Sequence, residues 1–254
     1  MIRTMKWVIY GKQHLDIIIL LHGGGLSWWN YREEAELLSN KYQVILPILD
    51  GHAGSDRCFT TIQDQATALI NEIDVHCHGH VLCIGGLSLG AQVLLEMLQK
   101  RPDICRCAFV ESALIIQNRV LYYMIPPVFG MSYGLIQKRW FAKLQCKSLR
   151  IRPSLFKKYY HDTCKIEKED MIAFLQENAI YKPTEALSKV TAKVCIFVGE
   201  KEKKVMQHSA ALLHEMLPNS SLCILPDLYH GEFSLNHGHV YAEALTAVLQ
   251  SLAM

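Results

Sequence analysis

The sequence predicts an α/β fold: a mostly parallel central sheet flanked by helices and interrupted by a helical insertion. Short continuous apolar runs alternate with stretches of helical spacing, and the runs open into turns rich in glycine, histidine or carboxylates. Continuous apolar runs of strand length belong to strands covered on both faces, as parallel strands are. The alternation stops near residue 114 and resumes near residue 188. The core is therefore expected in 1–113 and 188–254, with an inserted helical cap over 114–187.

The first β-favouring run, 6–10, closes at Gly11-Lys12, and residues 16–21 form a buried strand that ends directly in His22-Gly23-Gly24-Gly25. Glycines placed there let the backbone approach another group closely. Helical spacing over 33–40 leads to a strand at 44–46 and the turn Asp50-Gly51-His52-Ala53-Gly54-Ser55. A polar helix follows from 62 to 75, then the cluster His76-Cys77-His78-Gly79-His80. That cluster precedes a strand and so lies at the N-terminal edge of the sheet, whereas ligands of open α/β sheets gather at the carboxyl ends, so no metal site is expected.

The strand at 80–84 runs into Gly86-Leu87-Ser88-Leu89-Gly90, and helical spacing begins at Leu89. G-x-S-x-G between a strand and a helix is the pattern of a sharp turn that exposes a serine, with glycines where strand and helix come into contact. The next backbone N–H, that of Leu89, then points at the same spot. A strand at 107–110 ends at Glu111. After the insertion, strand 193–198 opens into Gly199-Glu200-Lys201-Glu202, a helix spans 205–216, and strand 221–225 precedes Pro226-Asp227-Leu228-Tyr229-His230. The closing helix covers 240–252.

Length and composition agree with one core plus an insertion: 254 residues, half of them hydrophobic, supply a sizeable core. A formal net charge of +2 gives no global drive toward nucleic acid. Nine scattered cysteines, mostly within apolar runs, read as small core residues in a reducing compartment. The charged start Met1-Ile2-Arg3-Thr4-Met5-Lys6 has no apolar segment behind it, and no apolar run reaches the roughly 18 residues of a membrane span. A cytoplasmic protein without stable membrane insertion is expected; nothing in the composition indicates an oligomeric state.

Serine at 88, carboxylates after the strand that ends at Val198, and His230 after the last strand follow the chain order of an α/β-hydrolase. Together with the His22 to Gly25 loop and the Asp50 to Ser55 turn, these motifs make the chain resemble a small, cofactor-free α/β-hydrolase over all but the insertion. The resemblance implies Ser88 as nucleophile, His230 as general base and then acid, and the N–H groups of Gly24 and Leu89 as oxyanion hole. His22 and His52 are expected to brace the glycine loop. The acid departs from the family pattern, because Glu202 stands where aspartate is usual; Glu111 and Glu200 are its rivals.

Such a site is built for acyl transfer, with a small or medium acyl ester as the default substrate and thioesters, lactones or carbon–carbon bonds beside a ketone as alternatives. A ligand-sensing receptor on the same fold is the reading of another class. Gly25, Trp28, Trp29, Tyr122, Tyr123 and Trp140 are the expected substrate contacts, lining an apolar pocket under the cap. Residues 138–168 carry ten basic and two acidic side chains, so this stretch holds +8 and the remainder −6. An outward solvated face, or attraction of anionic groups, would follow from such a charge.

Overall fold

The computed structural model describes residues 5–252; Met1-Ile2-Arg3-Thr4, the first part of the charged start considered above, lies outside them. Strands β1 (Trp7–Tyr10), β2 (Ile17–Leu21), β3 (Gln43–Pro47), β4 (Val81–Leu87), β5 (Cys105–Glu111), β6 (Lys193–Gly199) and β7 (Ser220–Leu225) form one sheet in the order β1-β3-β2-β4-β5-β6-β7. Only β1 runs antiparallel to its neighbour; the rest pair in parallel. The order reverses beside β2 and β4, so the loops after those strands flank the crevice where ligands of open α/β sheets bind.

Helices α1 (Arg32–Leu38), α2 (Ile62–His76), α3 (Leu89–Lys100), α8 (Lys204–Met216), the short α9 (Glu232–Asn236) and α10 (Gly238–Ser251) belong to the core, and α4 (Arg119–Ile136), α5 (Arg139–Ser148), α6 (Phe156–Thr163) and α7 (Lys168–Ile180) lie between β5 and β6. Two apolar clusters cover the two faces of the sheet, one built on α2, α3 and α8, the other on α1 and α10. Helix α3 is buried along most of its length, including Gln92, because the insertion covers its outer side: the Gln92 side chain accepts from the Asn178 side-chain amide of α7 and donates to the backbone carbonyls of Asn178 and Leu114. Cys83, Cys107 and Cys195 are buried on adjacent central strands, as small core residues.

Polar contacts tie the inserted helices to the core. The indole N–H of Trp29 donates to Asp162 at 2.7 Å, and Arg152 pairs with Glu33 at 2.7 Å. Helix α4 contains Pro126 and Pro127. Proline at 126 has no N–H to give to the Tyr122 carbonyl four residues back, and the Gln176 side chain of α7 donates to that carbonyl instead. No helix among the described residues is long and apolar enough to cross a membrane.

Candidate active site

Ser88 sits at the end of β4 with φ 53° and ψ −110°, a left-handed conformation that serine rarely adopts. The packing that imposes it is visible at the flanking glycines. A Cβ on Gly90 would overlap the carbonyl oxygens of Leu21 and His22, and one on Gly86 would overlap the backbone of Gly90 and Ala91. The Ser88 N–H donates to the Glu111 carbonyl at 2.9 Å, pinning the turn to β5. Leu89 opens α3, so its N–H is one of the first-turn donors that have no acceptor within the helix.

The glycine loop after β2 is held from both sides. Gly23 N–H donates to Asn30 at 3.3 Å, and Gly25 N–H donates to His52 Nε2 at 3.0 Å. Between them, Gly24 N–H takes no protein acceptor among the described residues. A side chain at Gly24 would press on Leu89 and on Phe174 of α7, whereas one at Gly25 would meet nothing within 4 Å. His52 Nδ1–H donates to the Asp50 carbonyl, and His22 Nδ1–H donates to that of Gly23 while its Nε2 accepts from Leu49 N–H. Burial, reinforced at His22 by the neighbouring His52, lowers the two pKa values to about 3 for His22 and about 4 for His52. Both rings are therefore neutral braces, each with a defined tautomer.

After the last two strands, His230 Nδ1 meets Glu202 Oε2 at 2.8 Å. The second Glu202 oxygen accepts from the Ser112 hydroxyl at 2.7 Å and from Gly199 N–H at 2.8 Å. Burial is the strongest single influence on this carboxyl and would raise its pKa. The bond to His230, the histidine's charge and the Gly199 and Ser112 donors together outweigh it, and the pKa is lowered. A cradle is thus built for a carboxylate anion behind an imidazole whose side chain is 43% exposed. Leu87 pairs with Glu111 and Glu111 with Phe197, so β4 and β5 end side by side and β6 runs two residues further, to Gly199, before the turn that carries Glu202.

The rival carboxylates are placed differently. Glu200 is exposed, accepts the Asp227 N–H at 3.0 Å and lies 3.7 Å from Lys201. Glu111 is buried, and Oε1 accepts Ser234 N–H at 3.3 Å. Burial raises its pKa to about 7, against the Ser234 donors and the His230 charge.

Among the expected substrate contacts, Trp29 is buried and hydrogen-bonded to Asp162, while Lys158 lies 5.4 Å over the ring of Trp28, so both indoles join the core to α6. Tyr122 is half-buried on α4, whereas Tyr123 and Trp140 are 72% and 58% exposed. Three residues that sequence reasoning passed over belong to the surroundings: Ser112, which bonds Glu202; Asn30, which holds the glycine loop; and Phe174, which stacks on His52 at 4.6 Å. None lies in a motif. Ser112 follows a strand end with φ 54°, a property no residue type announces.

The sequence profile of the alpha/beta hydrolase family matches residues 18–245. The chain belongs to that family. An esterase from Thermogutta terrifontis, solved with malate bound, superposes with a TM-score of 0.81 at 17% identity, over 98% of this chain and 94% of that one. The enol-lactonase of Burkholderia xenovorans LB400 gives a TM-score of 0.81 at 13% identity, over 97% of this chain and 96% of the other. MenH from S. aureus gives 0.77 at 17% identity, over 99% of both chains. At such identities these similarities concern the fold. A probable alcohol acetyltransferase of Cyberlindnera fabianii is 33% identical over 106 residues, covering 40% of this chain and 27% of that protein's length.

Proposed function

We propose that this member of the family is a serine hydrolase that cleaves small or medium acyl esters through an acyl-enzyme. The Ser88 oxygen attacks the ester carbonyl while His230 takes its proton. The tetrahedral oxyanion is met by the N–H groups of Gly24 and Leu89, and His230 returns the proton to the departing alcohol. Water, deprotonated by His230, then attacks the acyl carbonyl and frees Ser88. Glu202 holds the imidazole tautomer and stabilises the imidazolium. The observation that carries this reading is the 2.8 Å contact between His230 Nδ1 and a buried Glu202 whose lowered pKa keeps it charged.

Hydrolysis of p-nitrophenyl esters of increasing acyl length by wild type and Ser88→Ala is the test. Multiple turnover is expected for wild type. In the variant, activity should fall to the residual ~10³ to 10⁴ over water that binding and an oxyanion hole supply, with the fold intact by circular dichroism. Full activity in Ser88→Ala would remove the serine from the chemistry. A single slow turnover ending in a stable adduct in wild type would favour the sensing reading.

A second acceptor fits the same acyl-enzyme. The 33% identity to a probable alcohol acetyltransferase over 106 residues favours testing an alcohol in place of water. Partition of the acyl group between acid and new ester in added ethanol measures it.

A further inference from the structure

The inserted helix α4 presents its apolar side outward. At about 100° per residue, Tyr123, Pro127, Val120, Met131, Met124, Leu135, Val128 and Leu121 follow one another around one half of the helix, and all eight are exposed. Val120 is 75% exposed and Met131 87%. The opposite half, with Ile125, Phe129, Tyr133 and Ile136, packs inward on the insertion. Ten of the seventeen large apolar side chains exposed among the described residues fall between 120 and 149. Contiguous exposed apolar surface of this kind marks an interaction site.

Charge complements that face. No Asp or Glu occurs from 112 to 161, a run that holds nine Lys and Arg residues. On the exposed side of α5, Arg139, Lys143 and Lys147 form one ridge beside Trp140 and Leu144. None of these three cations, nor Lys138 at the α4–α5 junction, enters a salt bridge among the described residues. A cleft of about 620 Å³ opens on the same flank, lined by Lys143, Lys147 and Arg150.

We propose that the outward face of α4 and the exposed ridge of α5 dock the protein on an anionic lipid bilayer, lying in its interface without crossing it. A helix with one fully apolar face, an aromatic residue at the polar boundary and unpaired cations beside it has the composition of an interfacial element. Each Lys or Arg held near an anionic surface strengthens binding by about fivefold. A second copy of the chain is a poorer occupant, because a two-fold contact through this patch would gather Arg139, Lys143 and Lys147 of both copies into one interface with no Asp or Glu from 112 to 161 to offset them.

Flotation of the full chain with vesicles tests this without any assumption about the reaction. The wild-type protein should float with equal mixtures of phosphatidylcholine and phosphatidylserine, much less with phosphatidylcholine alone, and less as salt rises. Two variants probe the two halves: Val120→Glu with Met131→Glu on α4, and Lys143→Glu with Lys147→Glu on α5. Each should lower partitioning at least about tenfold with an unchanged melting curve. Equal flotation with both vesicle types, no flotation, or unchanged flotation of both variants would overturn the proposal. So would a wild-type dimer in solution that Val120→Glu with Met131→Glu turns into a monomer, since the face would then join two copies.

Discussion

Glu111 and Glu202 come from the end of one strand and the turn after its neighbour, are both buried, and have pKa values shifted in opposite directions. Glu202 has three donors around it, on His230, Ser112 and Gly199, and its pKa is lowered. Glu111 has Ser234 beside it, and its pKa is raised to about 7. Its second oxygen, Oε2, is buried with no hydrogen-bond partner among the described residues, and burial also raises the pKa values of the nearby Glu34, Tyr31 and Tyr241. Depth in the protein is common to both carboxyls. The surroundings set the direction of each shift: at Glu202 the His230 contact and the Gly199 and Ser112 donors outweigh burial, whereas at Glu111 burial outweighs the Ser234 donors and the His230 charge.

The comparison breaks most visibly at Glu202. Glu202→Gln keeps the volume but removes the charge facing His230 Nδ1, so the imidazole loses its fixed tautomer and its counter-charge. On an ester turned over by wild type, kcat should fall by about 10³ to 10⁴, the scale expected when a triad carboxylate becomes an amide. Steady-state kinetics on Glu202→Gln and Glu111→Gln decide the matter. An equal or greater loss from Glu111→Gln would move the orienting role to β5.

Glu111 should instead show itself in stability. A carboxyl with a higher pKa in the folded than in the unfolded state contributes fully below the unfolded value, near 4.5, and loses that contribution as pH rises through about 7. Glu111→Gln, neutral at every pH, should therefore gain on wild type as pH rises from about 5 to about 8, by at most on the order of 3 kcal/mol. Urea unfolding of both proteins at the two pH values measures the gain. A stability difference that stays constant with pH would mean that Glu111 is ionised in the fold and that its surroundings resemble those of Glu202.

Much of this site is written in residue types. The strained turn at Ser88 needs Gly86 and Gly90 because strand and helix backbones meet there, and glycine is the signature that close approach leaves. The strands at 17–21 and 193–199 are continuous apolar runs because both faces are covered. Loop position alone set Glu202 ahead of Glu111 and Glu200, whereas the donors that surround it, such as the Ser112 hydroxyl, lie as far as 90 residues away in the chain and were not legible. The outward face of α4 was equally hidden. An apolar helical stripe normally marks the side that packs on the core, and α4 is apolar nearly all round, so composition gives no direction. The same holds for Tyr123 and Trp140, whose side chains are exposed.

The smallest effect is expected two residues from Glu202, in the same loop. Glu200 shares the residue type and the turn, but its side chain is 52% exposed, its ion pair with Lys201 is long at 3.7 Å, and its one backbone contact is the Asp227 N–H. An exposed pair of this kind contributes little, and glutamine still offers an oxygen to that N–H. Glu200→Gln should leave stability within about 0.5 kcal/mol and the rate within about twofold of wild type. Urea unfolding and ester kinetics, run beside Glu202→Gln, check both numbers. A loss at Glu200 approaching that at Glu202 would mean that the charge of the loop, acting through space on His230, matters more than the 2.8 Å contact from Glu202. Salt would then reveal it, because attraction across exposed solvent is screened beyond about 8 Å at physiological ionic strength, whereas the buried contact is not.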